Sequence, residues 1–159
     1  MSAQPSGRKS LEQLAALGID LGSPPDPSAT YTPITTHGSL LFISGQKAQR
    51  NGELIARGLV GDQVDFDTGV ACARQCAINI LGHLLRELGS LDAIDQILKL
   101  TAFVASAEGF DRQHLVANGA SELMVEVLGA DGLAARSAVG VRGMPSGTPV
   151  AVEAIVARR

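Results

Sequence analysis

Residues 135–159, ARSAVGVRGMPSGTPVAVEAIVARR, decide the fold of this chain. They read as two strands, Ala135 to Val141 and Pro149 to Ala157, joined through the turn MPSGTP. The second strand carries one charge, Glu153, in the eight residues VAVEAIVA. A strand with one solvated face alternates apolar and polar residues; these hardly do, so both faces of their sheet are expected to be covered. Helices of the same chain can cover one face. In so small a domain the other face needs a second copy, so the pattern implies an oligomer.

The elements before this stretch supply those helices. Residues 110–129 have a helical pattern, with Leu115, Leu123, Val127 and Leu128 apolar and Gly129 closing it. The run ILKLTAFVAS, within Ile94 to Ser106, is rich in strand formers. Residues 66–89 read as a long helix: Val70, Cys72, Ala73, Cys76, Ala77, Ile80, Leu81, Leu84 and Leu88 recur at three- and four-residue steps, and Gly89 ends it. HGSLLFISGQ reads as a turn and a buried strand, Leu40 to Ser44, ended by Gly45. Asn51-Gly52 is a strong hairpin signal, with Glu53 to Val60 as the returning strand. The order hairpin, helix, strand, helix, strand, strand gives an α+β fold, a mixed sheet with two helices on one face. Towards the N-terminus, Ser10 is placed as the N-cap of a short helix, LEQLAALGI. Pro24, Pro25 and Pro27 then exclude regular structure. Residues 1–30 thus form an extension of short helix and proline-rich arm, leading into a domain at 31–159.

Composition narrows the function. At 159 residues one domain is expected. Hydrophobic residues are 45% of the chain but aromatics only 3%, so Val, Leu, Ile and Ala must fill the core. Net charge is −3, and no basic patch or aromatic stacking platform is present, which argues against nucleic acid as a partner. No apolar run reaches the roughly 18 residues of a membrane helix. MSAQPSGRKS has no apolar leader core. Cys72 and Cys76 lie four apart on one helix face without a third Cys or a nearby His, so they read as packed thiols and not as a metal site. Free thiols fit a cytoplasmic protein.

Arg136 is the most singular residue. Alternation puts Arg136, Ala138 and Gly140 on one strand face and Ala135, Ser137, Val139 and Val141 on the other. An arginine in an apolar strand needs a partner. Beside small neighbours its planar fork suits bidentate capture of a ligand carboxylate. The alternatives are an ion pair with a carboxylate of the core or of another subunit, and plain exposure. Glu153 is either a water-orienting carboxylate or the partner of such an arginine. Tyr31, the one tyrosine, closes a pocket mouth or packs. Asn118, in VANGAS, stands at a helix start, where Asn also caps. Ser44-Gly45-Gln46 is a strand end whose N–H groups could face a ligand. His37, His83 and His114 share no spacing and are expected at surfaces or turns. No nucleotide-binding or Gly-x-Ser-x-Gly motif is present.

The segments LLFISGQ, ARQCAINIL, TAFVAS, VANGAS and ARSAVGVRGMPSGTPVAVEAIVARR together resemble the RidA/YjgF family in order and spacing, over about residues 31–159. Most specific are Ala135-Arg136-Ser137, Met144-Pro145 and Glu153-Ala154. The resemblance implies a chorismate-mutase-like fold with a six-stranded mixed sheet and two helices. It also implies a homotrimer with the sheets as an inner barrel and sites in the clefts between subunits. The implied activity is hydrolysis of 2-enamines and 2-imines to 2-oxo acids and ammonia, without metal or organic cofactor. Arg136 would grip the carboxylate of a small-molecule substrate, with Tyr31, Ser44, Gly45, Asn118, Ser137 and Glu153 lining the cleft. The sequence departs from the family where a water-orienting glutamate is expected, two residues before Glu153: here stands Ala151. A family tyrosine shortly after Asn118 is also missing, with Ser121 near its place. The departures imply either an altered deaminase or a trimer that binds small carboxylates without catalysis. Some relatives have been described as acting on RNA; the acidic charge and few aromatics here lend that little support.

Overall fold

The computed structural model describes residues 9–159. The reading of the first residues as leader-free therefore lies mostly outside the described residues. Helix α1, Lys9–Ala16, buries Leu14 in the core. Ser10 sits inside this helix and not at its cap; its hydroxyl donates to Asp92 Oδ1 at 2.7 Å, which is why it is buried.

The main sheet has five strands: β1 Ile34–His37, β2 Leu40–Lys47, β5 Ile94–Ala105, β6 Ala135–Val141 and β7 Val150–Arg158. Their spatial order is β1-β2-β7-β5-β6, and only β5 and β6 run parallel, so the sheet is mixed as expected. The returning strand read over Glu53 to Val60 is shorter than that. Only β4, Glu53–Leu54, pairs with β3, Gln49–Arg50, as a ladder of its own around Asn51 (φ 53°) and Gly52 (φ 84°). Beyond it Gly58 and Gly61, at φ 115° and 95°, take the chain out of strand geometry. This ladder therefore adds no sixth strand to the sheet. Strand β1 was not anticipated; the proline arm before it hid a short edge strand.

Helix α2, Phe66–Leu88, matches the periodic stretch. Asp65 caps it by accepting the Thr68 amide at 2.7 Å, and Gly89 ends it at φ 74°. Those amide and hydroxyl hydrogen bonds hold the Asp65 carboxyl below its usual range. Cys72, Cys76, Ile80, Leu81 and Leu84 form its buried stripe. The second helical stretch is not continuous: it breaks at Ala117 into α3, Gln113–Val116, and α4, Asn118–Leu128. A Cβ placed on Gly119 would stand 2.1 Å from the Val70 carbonyl oxygen, so α2 and α4 meet at backbone distance.

Cross-strand register defines two sheet faces. Leu41, Ile43, Leu100, Ala102, Val152, Ala154 and Val156 are buried towards the helices. Phe42, Lys99, Thr101, Ser137, Val139, Glu153 and Ile155 share the other, open face. Phe42 and Val139 are each 43% exposed there.

Candidate functional site

The Arg136 side chain leaves β6 on the helix-facing side, where its neighbour across the ladder is Leu100. Its guanidinium meets the broken helix. Nη1 donates to Asn118 Oδ1 at 2.9 Å and to Ser121 Oγ at 3.0 Å, and Nη2 donates to the His114 carbonyl at 2.8 Å. The break at Ala117 explains the third bond, because carbonyls at a helix end lack an intrahelical partner. Asn118 and Ser121, three apart, share a face of α4. Asn118 thus does not cap its helix: its side-chain oxygen is spent on the arginine, and no side-chain cap bond forms there.

All three acceptors are neutral. Among the described residues no carboxylate lies within ion-pair distance of Arg136; the four ion pairs join other residues. The intrachain ion pair considered for Arg136 is therefore not formed. A guanidinium has five N–H donors, so about two remain uncommitted here. Gly140, on the same strand face, leaves room that the Gln113 side chain fills, its Nε2 being 2.8 Å from where a Cβ would stand.

A second group gathers at the far end of the sheet. Ile43 pairs with Ala154 and Gln46 with Val152, so Ser44 and Gly45 together face the single residue Glu153. This is a β-bulge, and it carries β2 past Gly45, where the sequence reading ended the strand, to Lys47. The Ser44 hydroxyl donates to the Thr32 carbonyl at 2.7 Å, and its amide to the Pro33 carbonyl at 2.9 Å, tying the bulge to the segment just before β1. A Cβ on Gly45 would meet nothing within 4 Å, so open space lies over this backbone. Tyr31, exposed, shares a shallow recess with Gly45, Gln46, Lys47, Pro25 and Asp26.

Glu153 is exposed on the open face, in a polar row with Thr101 and Ser137 on neighbouring strands. A recess of about 160 Å³ there is lined by Phe42, Lys99, Thr101, Glu153 and Ile155. Ser137 points away from Arg136 and accepts from Lys99 Nζ at 2.9 Å. Ala151 is buried, flanked by Lys47 on β2 and Phe103 on β5.

Arg136 with Asn118, and Tyr31 with Ser44, Gly45 and Glu153, are thus two separate groups in one chain. Three strand spacings, about 14 Å, part β2 from β6. Sequence reading passed over the His114 carbonyl, which has no motif. It also misplaced His83, which lies buried in α2 under the arm, with Arg86 Nη2 at 3.0 Å from Nδ1. Burial, then the Arg86 charge, push its imidazole below the ordinary value. Cys72 and Cys76 are buried free thiols; burial raises Cys72 to about 11 and Cys76 well above its ordinary value. Among the described residues no cluster of His, Cys, Asp and Glu could hold a metal ion. A recess of about 440 Å³ beside Lys9, Asp92 and Arg159 contains none of the site residues expected from the sequence.

A five-stranded mixed sheet backed by two helices, with a lone arginine at the seam between helix and sheet, defines a chorismate-mutase-like α+β protein. The family model described as "YjgF/chorismate mutase-like, putative endoribonuclease" matches residues 12–154, and the chain belongs to this family. It is 37% identical over 157 residues to Protein TCP17 of Trypanosoma cruzi, covering 98% of each chain. It resembles the crystal structure of Atu1372, a protein of unknown function from Agrobacterium tumefaciens, at 39% identity and TM-score 0.88, over 97% of this chain and 96% of that one. Escherichia coli TdcF with bound serine shares the fold at 22% identity and TM-score 0.64, over 88% and 96% of the two chains.

Proposed function

We propose that the protein hydrolyses 2-imino or 2-enamino acids to 2-oxo acids and ammonia, in clefts between the copies of a homotrimer. The observation that carries this reading is the arginine held only by neutral acceptors. Asn118, Ser121 and the His114 carbonyl fix the guanidinium without neutralising it, so an incoming carboxylate is the missing counter-charge. Distance supports a cleft between copies: within one chain three strand spacings, about 14 Å, part the Ser44–Gly45 strand from that of Arg136. The exposed apolar residues of the open face supply a surface for that neighbour. The bound serine of TdcF supports a ligand of amino-acid size, carrying a carboxylate and a nitrogen on the adjacent carbon.

The chemistry asks little of the protein. An imine carbon is already electrophilic; water adds to it, the nitrogen takes the proton, and ammonia leaves as the carbonyl forms. Anchoring the carboxylate and placing a water are enough, so the reading invokes no metal and no organic cofactor. No described helix is long and apolar enough to cross a membrane. We assign the cytoplasm from the two free thiols.

Ala151 favours a second reading, a trimer that binds small carboxylates without turning them over. Position 151 offers no carboxylate, and Glu153 stands about 6–7 Å further along the strand. One experiment separates the two. An amino-acid oxidase generates the imino acid, and its decay is followed with and without the protein. Acceleration that Arg136→Ala abolishes supports the hydrolase. No acceleration, with 2-oxobutyrate still binding in calorimetry, leaves the binding protein. Neither effect would discard both.

A further inference from the structure

We infer that Lys47 is a second anion-binding group of this cleft, and that the preferred ligand is a dicarboxylate, one end on Arg136 and the other on Lys47. The inference rests on the intersubunit reading above. Lys47 is the last residue of β2, two beyond the Ser44–Gly45 bulge, and it lines the recess that holds Tyr31 and Gly45. Its strand partner on β7 is Ala151. A lysine beside a carboxylate at that position would be neutralised; beside an alanine it is not.

Neither acidic group nearby forms an ion pair with Lys47. Asp26, in the same recess, lies 3.9 Å from the Arg86 guanidinium. Glu153 lies on the same strand face but forms no ion pair with Lys47, and none of the four ion pairs includes Lys47. The side chain is nonetheless partly buried, which weakens hydration of an ammonium and leaves an anion favoured beside it. Its backbone does not wander: Asn79, buried in α2, donates to the Lys47 and Gln49 carbonyls at 3.0 and 2.9 Å. Lys47 thus stands at a fixed strand end and lines the same recess as Gly45. Two unneutralised cations, one at each wall, fit a ligand with two carboxylates.

The test compares 2-oxopentanoate with 2-oxoglutarate, which has the same carbon chain and one more carboxylate. Calorimetry on the full-length protein should show 2-oxoglutarate binding about tenfold tighter, the scale of one charge-assisted hydrogen bond. Lys47→Met should erase that preference and leave 2-oxopentanoate unchanged; Lys47→Arg should keep it. Equal affinities in the unmodified protein, or a preference that survives Lys47→Met, would overturn the inference. The carboxylate-anchor reading would still stand if 2-oxopentanoate binds and Arg136→Ala loses it. If neither ligand binds, both readings fall.

Discussion

Three neutral acceptors hold the Arg136 guanidinium, and this sets what each substitution should do. Arg136→Ala removes the charge and should weaken carboxylate binding by about 10- to 100-fold, the range of a paired charge-assisted hydrogen bond. Arg136→Lys should recover little, because an ammonium cannot reach Asn118, Ser121 and the ligand with one planar fork. Asn118→Ala and Ser121→Ala leave the charge but free its orientation, so each should cost about 3- to 10-fold in affinity with little change in melting temperature. A titration series across these four variants checks the ranking; Asn118→Ala binding like the unmodified protein would remove its positioning role. At position 151, Ala151→Glu should raise the imine hydrolysis rate if the missing carboxylate limits it. An unmoved rate would show that it does not. The arginine was legible in the sequence as a lone charge in an apolar strand. Its partners were harder to read, because Asn118 at a helix start looks like a cap, and only the break at Ala117 shows where its oxygen is needed.

At the scale of elements, the long α2 and its contact with α4 place the site. At Gly119 the two helices meet at backbone distance, and an added Cβ would overlap the Val70 carbonyl. Gly119→Ala must part the helices by about 1 Å, and it should cost about 3 kcal/mol, at the upper end for overpacking. Denaturant unfolding checks the loss, and ligand affinity should fall too, since Asn118 is the adjoining residue. The arm is fastened to α2 near His83. Its imidazole, depressed below the ordinary value near 6.5, stays neutral in the fold, while the unfolded chain takes the proton first as pH falls. Its stabilisation is therefore complete above about pH 6.5 and is lost as pH drops through the lower native value. Unfolding midpoints from pH 8 to 5 should fall less steeply in His83→Gln than in the unmodified protein; parallel curves would refute the link. Helix α2 was legible because a 3.6-residue period and a C-terminal glycine agree there, while its Asp65 cap emerged only from the structure. The β2 bulge was not, because one extra residue opposite Glu153 depends on pairing with a strand over a hundred residues away.

For the whole molecule, the question is what covers the open face of the sheet. The final strands lack the alternation of a solvated surface, yet Phe42 and Val139 stand 43% exposed on that face. Between them run Lys99, Thr101, Ser137 and Glu153, polar groups that need partners of their own once covered. A second copy laid on this face can meet both demands, burying the apolar residues and pairing the polar row. On the intersubunit reading proposed above, it would also bring the Arg136 end of one chain towards the Gly45 end of another. Three copies around an axis close such a heterologous contact into a ring. The protein should therefore sediment with about three times the 16.4 kDa mass of the chain. Val139→Glu places an unpaired charge in the covered face and should shift the population to the single chain, with the helix content of α2 and α4 retained and carboxylate affinity lost. The two losses should track each other across protein concentration, because in the proposed cleft the ligand takes residues from both copies. Sedimentation with calorimetry at matched concentrations tests this, and a single-chain species that still binds 2-oxobutyrate would break the link between assembly and site.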